Sequence, residues 1–221
     1  MSNHDDLRSS MKGVETSLRD QLERRERLLK ESRDVIASCS KSIINIHGRR
    51  LAEAGRELRN ARILLASLKK AGSGPVSRYL IPPETEFVEA STVYALVNGK
   101  PIPSRSDLGA SPEAYVLGLL DTVGELKRLV LDAIMRGRLK DANAHFESME
   151  LLYSTCSPMA AYDHVVNGVR RKIDVARMLV EDTRGMLAQE VGRQELGSLM
   201  KRLYGKIEGT EQHRRQRDRL K

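Results

Sequence analysis

Tyr115-Val116-Leu117-Gly118-Leu119-Leu120-Asp121-Thr122-Val123-Gly124-Glu125-Leu126 is the stretch on which the fold class turns. Its apolar residues do not alternate, as a half-buried strand would require, and they continue through Leu129, Val130, Leu131 and Ile134. A run of that length with near-helical period reads as a helix, and one that is apolar around most of its circumference reads as a helix buried on several sides. Ser111 followed by Pro112 supplies the start, an N-cap and a first helical position, and the helix is expected to run to about Arg136. Gly118 and Gly124 interrupt it, each at a cost of about 1 kcal/mol against Ala, which suggests close approach by another backbone.

Outward from that helix, the chain reads as helices throughout. One is expected over Val14–His47, with Leu18, Leu22, Leu28, Leu29, Val35, Ile36, Ile43, Ile44 and Ile46 near helical period and Gly48 as its stop. A second fits Arg49–Lys70, ending at Ala71-Gly72-Ser73-Gly74-Pro75. A third is expected from Pro83, at its first position, to Val97. Asn98-Gly99-Lys100-Pro101-Ile102-Pro103 is a loop rather than a hairpin, because no alternating strands flank it. Three further helices fit Leu139–Tyr153, Pro158–Leu187 and Glu190–Ile207. The expected architecture is all-α, about seven helices stacked in a single domain over residues 1–207.

Composition agrees. Among 221 residues there is no Trp and there are only 2 Phe, so the core must be built from Leu, Ile, Val, Ala and Met. Sheets draw on aromatic and β-branched residues and are disfavoured by this inventory. The net charge is +8, which suits a polyanionic partner, nucleic acid ahead of anionic membrane. Much of the excess lies between Lys201 and Lys221, where eight Lys or Arg face three Asp or Glu. Residues 208–221 therefore read as a basic, solvated, disordered tail that can still touch phosphates. Cys39 and Cys156 have no CxxC spacing and fit reduced thiols in the cytoplasm. The opening MSNHDDLRSS carries no signal-peptide pattern, and no stretch approaches the ~18 apolar residues of a membrane span, so a soluble cytoplasmic protein is expected.

Two carboxylate pairs carry the chemistry. Asp121 and Glu125 are four apart on the most apolar helix, and Glu86 and Glu89 are three apart within Glu86-Phe87-Val88-Glu89-Ala90. Each pair lies on one helix face. An acid pair is ordinarily a solvated face, but these are set among apolar residues, where a carboxylate must be neutralised, paired or metal-bound. Glu125 has Arg128 at i+3 as a salt-bridge alternative. Asp121 has no basic residue three or four positions away, which favours a partner from another helix or a metal. If the two helices pack face to face, four carboxylates converge and cannot all stay ionised without cations. With oxygen ligands and no neighbouring Cys or His, Mg²⁺ or Mn²⁺ fits better than Zn²⁺. Such a site positions a water nucleophile and stabilises a phosphodiester transition state. His47 beside Arg49 and Arg50 either touches phosphate or sits on its helix dipole. No Ser/His/Asp set, P-loop, HExxH or nucleotide fingerprint is present.

These residues resemble a known family. Glu26-Arg27-Leu28-Leu29-Lys30-Glu31-Ser32-Arg33-Asp34, followed by Lys41-Ser42-Ile43 and His47, is similar to the opening helix of the TRAX branch of the translin family. Glu86-Phe87-Val88-Glu89-Ala90 is similar to that branch's Glu-Tyr-Val-Glu-Ala motif, and the 115–126 stretch to its Tyr-x-x-Gly-x-x-Asp-x-x-Gly-Glu-Leu motif. The resemblance covers roughly residues 18 to 190. It implies a seven-helix, all-α fold that assembles into hollow oligomers, octamers or hexamers, around nucleic acid. It also implies a Mg²⁺-dependent endoribonuclease whose acidic site positions match Glu86, Glu89, Asp121 and Glu125. Translin itself, which binds RNA and single-stranded DNA, lacks the aspartate matching Asp121, so the chain looks like the catalytic branch. Pro82-Pro83, the short linker from Asn98 to Ala110 and the basic tail depart from the family pattern, and suggest a compact relative working as a homo-oligomer.

Three functions are then open: a metal-dependent RNase acting on single-stranded RNA, a non-catalytic RNA or single-stranded DNA-binding protein of translin type, and a helical assembly whose acids are interhelical salt-bridge partners. Arg24, Arg25, Arg27 and Arg33 of the first helix, with His47, Arg49 and Arg50, are the candidate RNA-facing residues, and a solvated helix face is the alternative for each. The scarcity of aromatics argues against extensive base stacking.

Overall fold

The computed structural model describes the backbone of residues 3–218 and the side chains of residues 4–208. Among the described residues there are seven α-helices, two 3₁₀ segments and no strand. The helices are α1 (Asn3–His47), α2 (Leu51–Ala71), α3 (Ile81–Val97), α4 (Arg105–Leu108), α5 (Pro112–Met135), α6 (Leu139–Cys156) and α7 (Val169–Asp218). The 3₁₀ segments are Gly74–Leu80 and Ser157–Tyr162. The all-α class read from the sequence is the class observed.

Helix α3 and helix α5 form the centre. Helices α1 and α2 pack together and against α3, whereas α6 and α7 pack together and against α5. Helix α3 has no solvent face to speak of: Phe87, Val88, Glu89, Ala90, Ser91, Thr92 and Val93 are all buried. Its hydroxyls turn inward to their own backbone, as when Thr92 Oγ1 donates to Val88 O, so that burial leaves few polar groups unmet. Gly118 explains how α5 lies so close. A Cβ at Gly118 would stand 2.6 Å from the Thr85 carbonyl oxygen and 2.7 Å from Val88 Cβ. The close approach expected at Gly118 is present. At Gly124 it is absent: a Cβ there would meet only Leu179 Cδ1, at 3.9 Å.

Element boundaries follow local chemistry. Helix α3 starts at Ile81, two residues before the expected Pro83, because the 3₁₀ segment feeds directly into it. Pro82 and Pro83 are tolerated there since first-turn N–H groups have no helical acceptor. Ser111 caps α5 as expected, accepting from Ala114 N at 3.3 Å. The Ser111 N–H in turn donates to Glu84 Oε2 at 2.8 Å, while Glu84 Oε1 pairs with Lys69 at 2.9 Å. Buried Glu84 thereby ties the starts of α3 and α5 to the end of α2. The one-turn α4, closed by a Ser104–Asp107 capping box, was not evident in the linker.

Two expectations at the chain ends change. Helix α1 begins at Asn3 rather than Val14, and the helix expected over Pro158–Leu187 begins at Val169 and runs without a break through the one expected over Glu190–Ile207. Residues 188–190 contain no breaker, so nothing stops the helix where burial ends. It continues to Asp218, across most of the segment read as disordered; residues 219–221 lie outside the described residues. Both extensions carry bare apolar stripes. Leu7, Met11, Val14 and Leu18 of α1 and Leu196, Met200, Leu203 and Ile207 of α7 step by alternating threes and fours, each 47% to 61% exposed. No helix among the described residues is long and apolar enough to cross a membrane.

Candidate functional site

The Gly118 contact brings the two acidic faces together. Glu86 and Glu89 on α3, Asp121 and Glu125 on α5, lie within mutual electrostatic reach. Glu89 is buried and its carboxyl is pushed up from 4.5 to about 8, first by desolvation and then by the charges of Glu86, Asp121 and Glu125. Half-buried Glu86 is raised for the same reasons, desolvation first and Asp121 next. Among the described residues no hydrogen bond or ion pair engages either of these carboxylates. They are the uncompensated half of the quartet.

The other half is compensated by residues far away in sequence. Lys172, in the first turn of α7, bonds both carboxylate oxygens of Asp121. It also lowers the raised values of Glu86 and Glu89. Glu125 Oε2 meets His47 Nε2 at 2.5 Å, and the hydrogen bond holds the Glu125 carboxyl below its usual value. Arg128, the sequence-local alternative, adds only a through-space contribution to Glu125. Asp121, with no basic residue one turn away on α5, was expected to take a partner from another helix or a metal, and Lys172 is such a partner. Nothing in the sequence marked it, since it lies 51 residues from Asp121.

The donor set suits a hard divalent cation: four carboxylates, two of them unpaired, and no thiolate in range that could ionise. Cys39 sits beside Glu86 and Glu89, but burial and those charges push its thiol up to about 12. As the side chains stand, no group of three or more His, Cys, Asp and Glu among the described residues has metal-binding geometry. Lys172 and His47 each engage one of the four acids.

The expected RNA-facing residues do not form one surface. His47, expected among them, is instead buried, with its side chain 4% exposed and directed at Glu125. Its Nδ1 has no hydrogen-bond partner. Arg24 donates to Ala71 O and Ser73 O, Arg25 to Tyr79 Oη, and Arg27 pairs with Glu31, so these three sit midway along α1, near the last residues of α2. Arg33 is exposed further toward the C-terminal end of α1. Arg49 and Arg50 lie in the turn that follows α1, Arg49 with φ 58° and Arg50 bonded to Asn45. From Arg24 to His47 the helix rises roughly 35 Å. A different basic pair adjoins the acids: Arg171 and Lys172 line a groove of about 280 Å³ with Leu120, Asp121, Asn167, Gly168 and Val175.

Comparison with known proteins gives the site a context. No family model matches the chain. An uncharacterised protein of Methanocaldococcus jannaschii is 32% identical over 188 residues, covering 81% of this chain and 82% of the relative. The structure of AfC3PO in complex with duplex RNA is similar at a TM-score of 0.75 and 28% identity, over 83% of this chain and 97% of that one. The crystal structure of AfC3PO alone gives 0.71 and 29%, over 87% and 98%. Apo-NeC3PO, at 20% identity and a TM-score of 0.66 over 86% of this chain, shares the fold.

Proposed function

Since the chain belongs to the translin family, whose C3PO members include one seen with duplex RNA, we propose that it is a subunit of the TRAX-like, RNA-cutting kind. It is a Mg²⁺-dependent endoribonuclease, with Mn²⁺ as a substitute, acting on single-stranded RNA within a homo-oligomeric shell. The observation that carries this reading is the convergence of four acids from two helices on one partly buried patch, two of them with no hydrogen bond or ion pair of their own. A scaffold stabilised by interhelical ion pairs would pair all four, since an unpaired buried carboxylate costs stability.

Glu86, Glu89, Asp121 and Glu125 are the residues that would hold the cation. Bound there, it supplies charge neutralisation at the phosphodiester and a more acidic water. The chain's own groups do the rest. Burial keeps the Glu89 carboxyl protonated near neutral pH, and the charge of a bound cation would favour its ionised form. His47 fixes the orientation of Glu125. Arg171 and Lys172 offer phosphate-binding charge at the edge of Asp121. With few aromatic residues to stack on bases, cutting has little sequence preference. The bare stripes on α1 and α7 supply the contacts between copies: their three-and-four spacing is that of a helix packed on a helix.

The test is cleavage of end-labelled RNA, unstructured and duplex in parallel, with Mg²⁺, Mn²⁺ or EDTA. Asp121→Ala, purified identically, runs alongside. Metal-dependent cutting that the variant loses, with RNA still bound, is the expected result. Binding without cutting by the wild-type protein would instead favour a non-catalytic binder of RNA or single-stranded DNA. Cutting that survives in the variant would remove the carboxylates from the chemistry.

A further inference from the structure

One contact in the carboxylate cluster sits uneasily with metal binding. Lys172 covers both oxygens of Asp121, which has no basic residue one turn away on its own helix. A divalent cation and an ammonium held on the same two oxygens repel each other at close range. Mg²⁺ requires a nearly ideal octahedron of oxygen ligands, and a bidentate ammonium stands where the cation would approach Asp121.

The ammonium is also placed to leave. Its side chain is 37% exposed, against 27% for Lys69 in its structural pair with buried Glu84. It opens onto the 280 Å³ groove beside Arg171 and Asn167. A lysine stem has four rotatable carbons and a single, strongly hydrated charge, so moving it a few ångströms into water costs little. Meanwhile its field reaches Glu86 and Glu89, which have no other cationic partner.

Resting on the metal-dependent reading above, we propose that Lys172 is a resident counter-ion that competes with the divalent cation for Asp121. In the metal-free protein it neutralises the quartet. When the cation binds, Lys172 withdraws to the groove and presents its charge, with Arg171, to RNA phosphates. It is a positioning residue in the first state and a phosphate contact in the second. The exchange keeps the count of positive charge near the acids at one or more throughout, and it links metal binding to RNA binding.

The experiment titrates Mn²⁺ alone into the full-length protein by calorimetry, for wild type, Lys172→Met, Lys172→Gln, Lys172→Arg and Asp121→Asn. Removing a unit positive charge in contact with a ligand should tighten Mn²⁺ binding about tenfold or more in Lys172→Met. Lys172→Gln, which keeps a polar side chain, guards against misfolding of the methionine variant and should tighten likewise. Lys172→Arg should bind no tighter than wild type, because a guanidinium fork grips a carboxylate with two donors. With Mn²⁺ present, Lys172→Met should also bind unstructured RNA with a shallower salt dependence, lower in slope by about 0.7. Folded Lys172→Met and Lys172→Gln that bind Mn²⁺ no tighter than wild type would overturn the proposal while leaving the metal site intact. Wild type and Asp121→Asn binding Mn²⁺ identically, or not at all, would overturn the metal reading and the counter-ion role together.

Discussion

Gly118 and Gly124 lie on the same helix six residues apart and offer a matched test of what positions the acids. By helix propensity alone, Gly→Ala at either position stabilises by about 1 kcal/mol. At Gly124 nothing opposes that gain, since the new methyl would meet only Leu179 Cδ1 at 3.9 Å. At Gly118 the methyl would stand 2.6 Å from Thr85 O and 2.7 Å from Val88 Cβ, both on buried α3. Ordinary contact would require a separation greater by roughly 1 Å, and neither atom is the end of a flexible side chain. Overpacking of that kind costs about 1–3 kcal/mol. Gly118→Ala should therefore be destabilised by up to about 2 kcal/mol net, and Gly124→Ala stabilised by about 1 kcal/mol. The difference corresponds to several degrees in Tm for a chain of this size. Urea unfolding followed by circular dichroism, at one protein concentration in EDTA, measures it. Mn²⁺ titration should further show weaker binding in Gly118→Ala, because moving α3 off α5 separates Glu86 and Glu89 from Asp121 and Glu125. Equal stability of the two variants, or unchanged metal affinity in a destabilised Gly118→Ala, would refute the claim that this contact assembles the quartet.

The remaining expectations concern charge, thiols and assembly. The Glu89 carboxyl, raised in the fold from 4.5 to about 8, holds its proton while the unfolded chain releases it. Stability of the metal-free protein should therefore fall between pH 4.5 and about 8 and level off above; Glu89→Gln should remove that slope and be more stable by about 3 kcal/mol at pH 7. A difference that does not grow with pH across that window would contradict the burial argument. Cys39, pushed up to about 12, and Cys156, up to about 11, should resist a water-soluble aromatic disulfide in the native protein at pH 8 and react on unfolding. Rapid native labelling of both thiols would show that the core opens. Leu199→Glu with Leu203→Glu on the exposed face of α7 should lower the mass found by light scattering without loss of helical signal, since each buried leucine contributes about 1.5–3 kcal/mol to a contact between copies. An unchanged mass would place the assembly contacts elsewhere.

Much of the molecule was legible in local sequence because local physics produced it. Ser111-Pro112 starts α5 through a cap that acts within one turn, and the loop at Asn98–Pro103 follows from residues that cannot continue a helix. The end of α1 was also foreseen near Gly48, although Arg49, rather than the glycine, takes the left-handed conformation. The misjudged boundaries were those where burial and helicity part company. Periodicity marks which residues a helix buries, and so it missed the start of α1 before Val14 and the continuation of α7 past Leu187, where helix-forming residues extend the helix without burying a face.

The site divides in the same way. Sequence by itself determined that the chain is helical, that Glu86 with Glu89 and Asp121 with Glu125 each share a helix face, and that Asp121 lacks a partner on its own helix, because a 3.6-residue repeat fixes those relations wherever the helix lies. Tertiary structure decided which of the two glycines admits a neighbouring backbone, and thus that the two pairs meet at all. It also decided that His47, 78 residues from Glu125, is a buried partner rather than an exposed one, and that Lys172 reaches Asp121 from α7. Such contacts depend on how whole helices dock, which is set by the summed packing of residues along their length and leaves no mark at the two positions that finally touch.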